Sequence, residues 1–97
     1  MTMNEYTKSV MENIPTPATV RQSLVQQFVA MAINELTTKG EANLFGGRCG
    51  IEGNRNVLCA TARKVRTMFK EKGYIVSLYE YSTNNRDSYF SMTIRAE

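Results

Sequence analysis

The strongest constraint on the fold comes from the last quarter of the chain, where two β-rich runs flank a turn-forming segment. The runs are YIVSLYEY, Tyr74 to Tyr81, and YFSMTIR, Tyr89 to Arg95, and STNNRDS lies between them. Asparagine, aspartate and serine favour turns, so this pattern predicts a C-terminal β-hairpin. Side chains alternate between the faces of a strand, which predicts one apolar face and one polar, aromatic face. The predicted apolar face comprises Val76, Leu78, Phe90, Met92 and Ile94.

Two upstream segments are predicted to be the helices that cover this apolar face. In the first, Pro17 to Lys39, apolar residues recur at intervals of three and four, which is typical of an amphipathic helix. Thr16 and Pro17 are suited to its start, and Gly40 to its end. The predicted stripe consists of Val20, Leu24, Val25, Phe28, Val29, Ala32, Ile33 and Leu36.

The second helix is predicted in the segment VLCATARKVRTMFKEKG and ends at Gly73. Asn54 and Asn56 are both suited to cap its first turn, because a side-chain oxygen can accept from a free backbone amide there. The residues expected to face the core are Leu58, Ala62, Val65, Met68 and Phe69.

Two shorter elements complete the predicted fold. EANLF, Glu41 to Phe45, is predicted to be a strand, and NEYTKSVMENI, Asn4 to Ile14, a short helix that stops before Pro15. A chain of 97 residues is expected to form one domain. The predicted class is α+β, with two main helices and a short N-terminal helix packed on a small, mainly antiparallel three-stranded sheet. Residues 1–97 form the single domain, and residues 1–15 its N-terminal helical arm.

The stretch FGGRCGIEGNRN, Phe45 to Asn56, holds four glycines between the first strand and the second helix. Nucleotide-binding loops add a lysine followed by serine or threonine, and residues 47–54 contain none of these. The glycines therefore favour a turn that reverses the strand into the helix. Whether residues 46–53 also bind an anion, with help from Arg48 or Arg55, is left open by the pattern.

The residue types present exclude several chemistries. The chain has no histidine and only two cysteines, Cys49 and Cys59, so a zinc site is not expected. No imidazole is available to activate a thiol and the carboxylates show no paired spacing, so neither enzyme activity nor a cofactor is expected. Both cysteines are expected to be free thiols in a reducing cytosol. No apolar run approaches the roughly 20 residues that span a bilayer, so a soluble protein made inside a cell is expected.

Positive charge is concentrated in residues 48–72, which contain seven basic and two acidic residues. The segments before and after them each have one more acidic than basic residue, so residues 48–72 carry the whole net charge of +3. Arg63, Arg66 and Lys70 fall on one face of the predicted helix. Such a face is either simply solvated or contacts phosphate or an acidic partner. With Arg86 at the predicted hairpin tip, it also fits a winged-helix DNA-binding protein, although that fold has another helix before the recognition helix.

Tyr79, Tyr81 and Tyr89 are predicted to share the polar face of the hairpin with serine and threonine side chains. Tyrosine among small hydroxyls is common in protein interfaces, because the ring buries a large area at little entropic cost. Ordinary solvent-facing tyrosines and stacking on nucleic-acid bases are the two other interpretations.

The stretch KEKGYIVSLYEYSTNNRDSYFSMTIRAE resembles the C-terminal part of a class of small proteins encoded by tailed bacteriophages. Those proteins end in a helix, a Lys-Gly-Tyr boundary with a valine two residues on, and a hairpin whose last strand alternates apolar residues. The stretch TTKGEANLF resembles their passage from helix to strand. The resemblance covers about the last sixty residues and implies a phage context, in which some members are virion components.

The function expected from these features is non-enzymatic binding to other protein chains, as a minor structural or assembly component of a virion. The candidates are Tyr79, Tyr81 and Tyr89 for the protein contact, and Arg63, Arg66, Lys70 and Arg86 for contact with phosphate or an acidic partner. The alternatives are a phage-encoded nucleic-acid-binding regulator of winged-helix type and an inhibitor of a host defence or polymerase protein. The chain is expected to be made in the host cytoplasm and incorporated in the virion, with virion chains, host chains or copies of itself as partners and no membrane contact.

Overall fold

The computed structural model describes residue 11, residues 13–84 and residues 87–96. This part of the chain contains two helices and three strands, which confirms the predicted α+β class. Most of the predicted N-terminal helix, Asn4 to Ile14, lies outside the described residues. In chain order the elements are α1, Pro17–Lys39; β1, Glu41–Gly47; α2, Arg55–Glu71; β2, Ile75–Glu80; and β3, Ser88–Arg95.

Both helices begin at capping residues that the sequence offers, and α1 also ends at the predicted Gly40, whereas α2 ends at Glu71 with Lys72 as its cap, before the predicted Gly73. The Thr19 amide donates to the Thr16 hydroxyl (3.2 Å) at the start of α1, with Pro17 in the first turn. Gly40 ends α1 in the left-handed conformation, at φ 79° and ψ −2°. At α2, the Val57 amide donates to the Asn54 side-chain oxygen (3.1 Å), so Asn54 is the cap that the sequence left undecided between two asparagines. Local capping chemistry therefore accounts for the start of both helices and for the end of α1.

The strands form one antiparallel sheet with β3 in the middle, in the order β1-β3-β2. Residues opposite one another across the sheet therefore form rows of three. The rows on one face are Ala42, Ile94 and Val76; Leu44, Met92 and Leu78; and Gly46, Phe90 and Glu80. Seven of these nine residues are buried, the exceptions being Leu78 and Glu80. This is the alternation expected from the sequence for β2 and β3, and it gives the sheet one core-facing side.

Both helices pack on that side of the sheet. The Phe28 ring of α1 lies 5.8 Å from the Phe90 ring of β3, centroid to centroid. On α2, Leu58, Ala62, Val65 and Phe69 are buried, as predicted. The described residues therefore form two layers, and neither of the two described helices covers the opposite face of the sheet.

The sequence overestimates how much of each helix is buried. In α1 only Phe28 and Ala32 are buried, whereas Val20 and Ile33 from the predicted stripe are 41% and 50% exposed. The prediction that Met68 of α2 faces the core is wrong, since this side chain is 38% exposed. A helix of 23 residues is longer than a small sheet can cover, so part of its apolar stripe faces solvent.

Strand β1 continues past the predicted end at Phe45 and includes Gly46 and Gly47. A Cβ on Gly46 would overlap the ring of Phe90, the next residue in its row, and Phe90 is fully buried. The first two glycines of the glycine-rich stretch therefore belong to the sheet, where one of them leaves room for a core side chain.

Candidate protein-binding surface

The uncovered face of the sheet carries small polar side chains on the central strand and larger ones on the outer strands. Phe45 of β1 and Tyr79 of β2 lie on either side of Ser91, and Asn43 and Ser77 lie on either side of Thr93. The Thr93 hydroxyl and the Asn43 side-chain oxygen are 3.0 Å apart. We call these residues the open face; they are Asn43, Phe45, Ser77, Tyr79, Ser91 and Thr93.

Tyr79 is the most prominent side chain of the open face, because it is 63% exposed. The Tyr81 ring packs edge-on against the Tyr79 ring, with centroids 4.9 Å apart and an interplanar angle of 76°. Tyr81 itself is half-buried. The structure thus brings two of the three predicted tyrosines together in an edge-to-face pair. Contact between the rings restricts their rotamers, which reduces the entropy lost when a partner binds.

Tyr89 is in a different environment from the other two tyrosines. It is half-buried against the core, and the guanidinium carbon of Arg55 lies 5.1 Å from its ring centroid. Arg55 also donates to the carbonyls of Ser82 (2.6 Å) and Ser88 (3.3 Å). The first residue of α2 therefore anchors both ends of the β2–β3 connection and covers Tyr89, so Tyr89 offers a partner less surface than Tyr79 does.

The basic face predicted on α2 is partly neutralised within the protein. Arg63 donates through Nε to Glu80 Oε2 (2.7 Å) and through Nη2 to Glu80 Oε1, which is a bidentate ion pair. Arg66 is half-buried, and Lys70 is exposed. Arg86 lies outside the described residues. Of the described candidates for phosphate contact, Arg63 therefore already has a carboxylate partner, whereas Lys70 is open to solvent.

The same ion pair lies beside a buried thiol. Glu80 is in the core-facing row with Phe90, which places its carboxylate under α2. The hydrogen bonds from Arg63 lower the pKa of Glu80, against an opposing effect of burial. Burial, followed by the nearby Glu80 charge, raises the pKa of Cys59, whose Sγ donates to the Tyr89 carbonyl at 3.7 Å. Cys59 is thus kept in its thiol form, which is the less nucleophilic form.

The remainder of the glycine-rich stretch is a compact turn that folds back over Phe45. The Gly47 amide donates to the Ile51 carbonyl (2.9 Å), and the Ile51 amide donates to the Phe45 carbonyl (2.8 Å). A Cβ on Gly50 would overlap the Phe45 backbone and ring. Arg48 forms an exposed ion pair with Asp87 at 3.6 Å. The glycines therefore have identified packing roles, and the turn explains why Phe45 is only half-exposed on the open face.

Sequence reasoning missed two parts of the surface. Phe45 was assigned to a strand but not to the open face; alternation from the buried Ala42 and Leu44 carries that signal. Val57 and Met68 of α2, 36% and 38% exposed, line a groove against α1. No sequence signal distinguishes such a groove residue from a core residue, because both lie at helical spacing on an apolar stripe.

Among the described residues, no group of three or more His, Cys, Asp or Glu side chains is placed to hold a metal ion. In the same part of the chain, neither helix combines the length and apolarity needed to cross a membrane. Comparison of the chain with protein-family models, with curated proteins and with solved structures gives no match.

Proposed function

We propose that this protein is a non-enzymatic binding protein that contacts another protein chain through the open face of its sheet. The observation that carries the proposal is the exposed Tyr79, paired with the Tyr81 ring, on the face of the sheet opposite α1 and α2. Interfaces are enriched in tyrosine and depleted in charge at their centres. The six residues of the open face include no charged side chain, and the charged residues on this side of the sheet, Glu41 and Arg95, lie in the next row at its end. An uncharged centre with charges at the rim agrees with that composition.

We further propose a phage context, in which the protein is a minor structural or assembly component of a virion made in the host cytoplasm. The support is the resemblance of the C-terminal stretch, with its Lys-Gly-Tyr boundary at Lys72 to Tyr74. We also infer that β2 and β3 are joined as a hairpin and that residues 1–15 contain a short helix. The antiparallel pairing of β2 with β3, and the hydrogen bond from the Tyr81 amide to the Tyr89 carbonyl (3.0 Å), support the hairpin.

The experiment combines particle purification with a surface variant. If the proposal is right, the protein is present in purified virions of the phage that encodes it, and Tyr79→Ser reduces its incorporation by about tenfold or more, the loss expected for a central tyrosine. Because Tyr79 is largely exposed, the variant should keep the unfolding temperature of the wild type. Ile33→Ser is the matched control. Ile33 is likewise exposed, at 50%, but it lies on α1 and not on the open face.

Two results would reject parts of the proposal separately. Absence of the wild-type protein from purified particles would reject the virion component. Normal incorporation of Tyr79→Ser alongside Ile33→Ser would reject the open face as the contact surface, even if the protein is a virion component.

Nucleic-acid binding is the second candidate function, and one observation favours it. The excess of positive charge in residues 48–72 lies largely on α2, where Lys64 and Lys70 are exposed. Two features count against it. Arg63 is engaged with Glu80, and residues 48–54 form a turn and a cap where a winged-helix protein has a further helix. The inhibitor alternative has the same support as the main proposal, because it also needs a protein-contacting surface.

A further inference from the structure

A second surface, separate from the open face, lies between the helices on the other side of the molecule. It is a groove of about 870 Å³ between the first half of α1 and the exposed side of α2. The apolar side chains that line it are Ala18 and Val25 of α1 and Val57, Ala60 and Met68 of α2. None of the residues 17–27 of α1 is buried. The groove therefore leaves apolar surface of both helices exposed to water, which is unfavourable unless something covers it.

We propose that the N-terminal arm, residues 1–14, of a second copy of this chain occupies the groove, so that two copies exchange arms. The arm sequence MTMNEYTKSVMENI places Met3, Tyr6 and Val10 at spacings of three and four, ahead of the turn at Asn13 and Ile14. This is the pattern of a helix with one apolar stripe. An isolated helix of this length is marginal in water, so it needs a partner surface for its stripe.

The described end of the arm shows why the partner is a second copy. Met11 and Ile14 are 52% and 64% exposed, so the junction with α1 does not lie against its own groove. Thr16 is extended at φ −75° and ψ 158° between two prolines, which separates the arm from α1. The groove runs along the first half of α1, so an arm that docks in the groove of its own chain has to turn back at residues 14–16, where Thr16 is extended.

Length and charge agree with this occupant. Asn13 and Ile14 form a turn and a bend, so a helical segment of the arm ends before them. A helix from Asn4 to Met11 is about 12 Å long and fits within the α2 wall of the groove, which is about 20 Å long from Asn56 to Met68. Among the described residues, the charged side chains that line the groove are Arg21 and Lys64, and none of these lining residues is a carboxylate. Direct contact between two grooves would oppose like charges, whereas the arm has two glutamates and one lysine.

The exchange gives a closed dimer. Each copy supplies one arm and one groove, and the arm leaves α1 beside the first groove residue, Ala18. Reciprocal exchange about a two-fold axis satisfies both grooves, which is how a swapped element limits assembly to two copies. This inference concerns a different surface from the open face and does not depend on the proposed function.

Disulfide trapping tests the arrangement directly. In a Cys49→Ser background, which removes the exposed natural thiol, Val10→Cys and Ala60→Cys place one cysteine at the middle of the arm and one at the middle of the groove. A disulfide needs Cα atoms within about 7 Å, so it forms only if the two midpoints meet. Mild oxidation of the double variant should give a covalent dimer on a non-reducing gel, and a mixture of the two single variants should give the mixed dimer.

Each other outcome overturns the inference. An intrachain disulfide in a monomer would show that the arm lies in its own groove, and the absence of any cross-link would show that the groove is not the arm's site. Val10→Cys with Ile33→Cys is the control pair, because Ile33 is exposed on α1 but does not line the groove. This control pair should not cross-link.

Solution size provides a second measurement that needs no cysteine. Sedimentation of the wild-type chain should show a monomer–dimer equilibrium, and Met68→Asp or Val10→Asp should weaken it by about tenfold or more, because each puts a charge in an apolar contact. Met68 is already 38% exposed, so the fold should tolerate that change. A wild-type monomer at all concentrations, or a dimer unaffected by both variants but weakened by Ile33→Asp, would reject arm exchange.

Discussion

At the scale of single residues, the tightest packing constraint is the contact between Gly46 and Phe90. They are neighbours in one row of the sheet, and the Phe90 ring occupies the space that a side chain at position 46 would need. Phe90 also contacts Phe28 of α1, so the ring is held from the helix side as well. Displacing it would disturb both layers, because protein interiors are close-packed.

We therefore expect Gly46→Ala to lower the free energy of unfolding by about 1–3 kcal/mol, the usual cost of overpacking a core. The backbone at Gly46 is not in the left-handed region, so the cost comes from the overlap with Phe90. Urea denaturation measures this loss in the free energy of unfolding. Phe90→Leu should partly relieve the overlap, so the double variant should be more stable than the sum of the two single losses predicts. Strict additivity of the two losses would contradict this explanation.

At the scale of elements, the two helices depend differently on the core. In α2 the buried residues begin at Leu58, the fourth residue of the helix, so the N-terminus of α2 is tied to the core. In α1 the first buried residue is Phe28, so its first turns are not tied in this way. Fraying at the start of α1 exposes little further apolar surface, whereas fraying of α2 opens the core.

The two caps should therefore differ in their effect on stability. Asn54→Ala should lower the free energy of unfolding by about 1 kcal/mol, the typical value for a lost N-cap. Thr16→Ala removes the same kind of hydrogen bond, yet it should cost less than about half as much, because α1 can fray locally instead. Urea denaturation measures the global loss, and amide hydrogen exchange should show faster exchange at the start of α1 in Thr16→Ala. Equal global losses would show that the first turns of α1 are as firmly held as α2.

At the scale of the whole molecule, the core lies between one layer of helices and one face of a three-stranded sheet. Glu80 lies at the edge of this core, where Arg63 of α2 reaches it, so their ion pair connects the two layers. Cys59, a buried residue of α2, lies beside this ion pair. The charge states of these groups therefore bear on how the layers hold together at different pH values.

The pH dependence of stability follows from the directions of the two pKa shifts. The pKa of Glu80 is lowered in the folded protein, so the ionised carboxylate stabilises the fold. This stabilisation is fully present above the unfolded pKa of about 4.3 and is lost as the pH falls through the folded pKa. The pKa of Cys59 is raised in the folded protein, so the fold favours the neutral thiol. Stability is unaffected by this group below the unfolded pKa of about 8.5 and decreases as the pH rises toward the folded pKa. Maximum stability is expected between these limits.

Glu80→Gln should test the acidic side of this dependence. The variant should be less stable than the wild type at neutral pH, and the difference in unfolding free energy should shrink as the pH is lowered through the glutamate range. Thermal denaturation of both proteins at several pH values measures this difference in unfolding free energy. Arg63→Gln should show the same narrowing, because it removes the partner that lowers the pKa of Glu80. A difference that stays constant down to acidic pH would show that the ion pair does not couple to folding.

Much of the architecture is readable from the sequence because it depends on local chemistry. The Thr16 cap, the left-handed Gly40 and the alternation along β3 each require only residue types at fixed spacing. The exposure of Tyr79 follows from the same alternation. These features are predictable since each residue's conformation is set by neighbours a few positions away.

Local sequence patterns thus predict the two main helices, the start and end of α1, the presence of three strands and the faces of β2 and β3. They place the end of β1 two residues too early and the end of α2 two residues too late. Three features depend on long-range packing instead: Arg55 covers Tyr89, Glu80 neutralises Arg63, and Met68 lines a groove. The physical reason is distance along the chain: these contacts join residues 17 or more positions apart, so they depend on how α2 lies on the sheet. Periodicity shows which stripe of a helix is apolar, but the relative lengths and positions of helix and sheet decide how much of that stripe is buried.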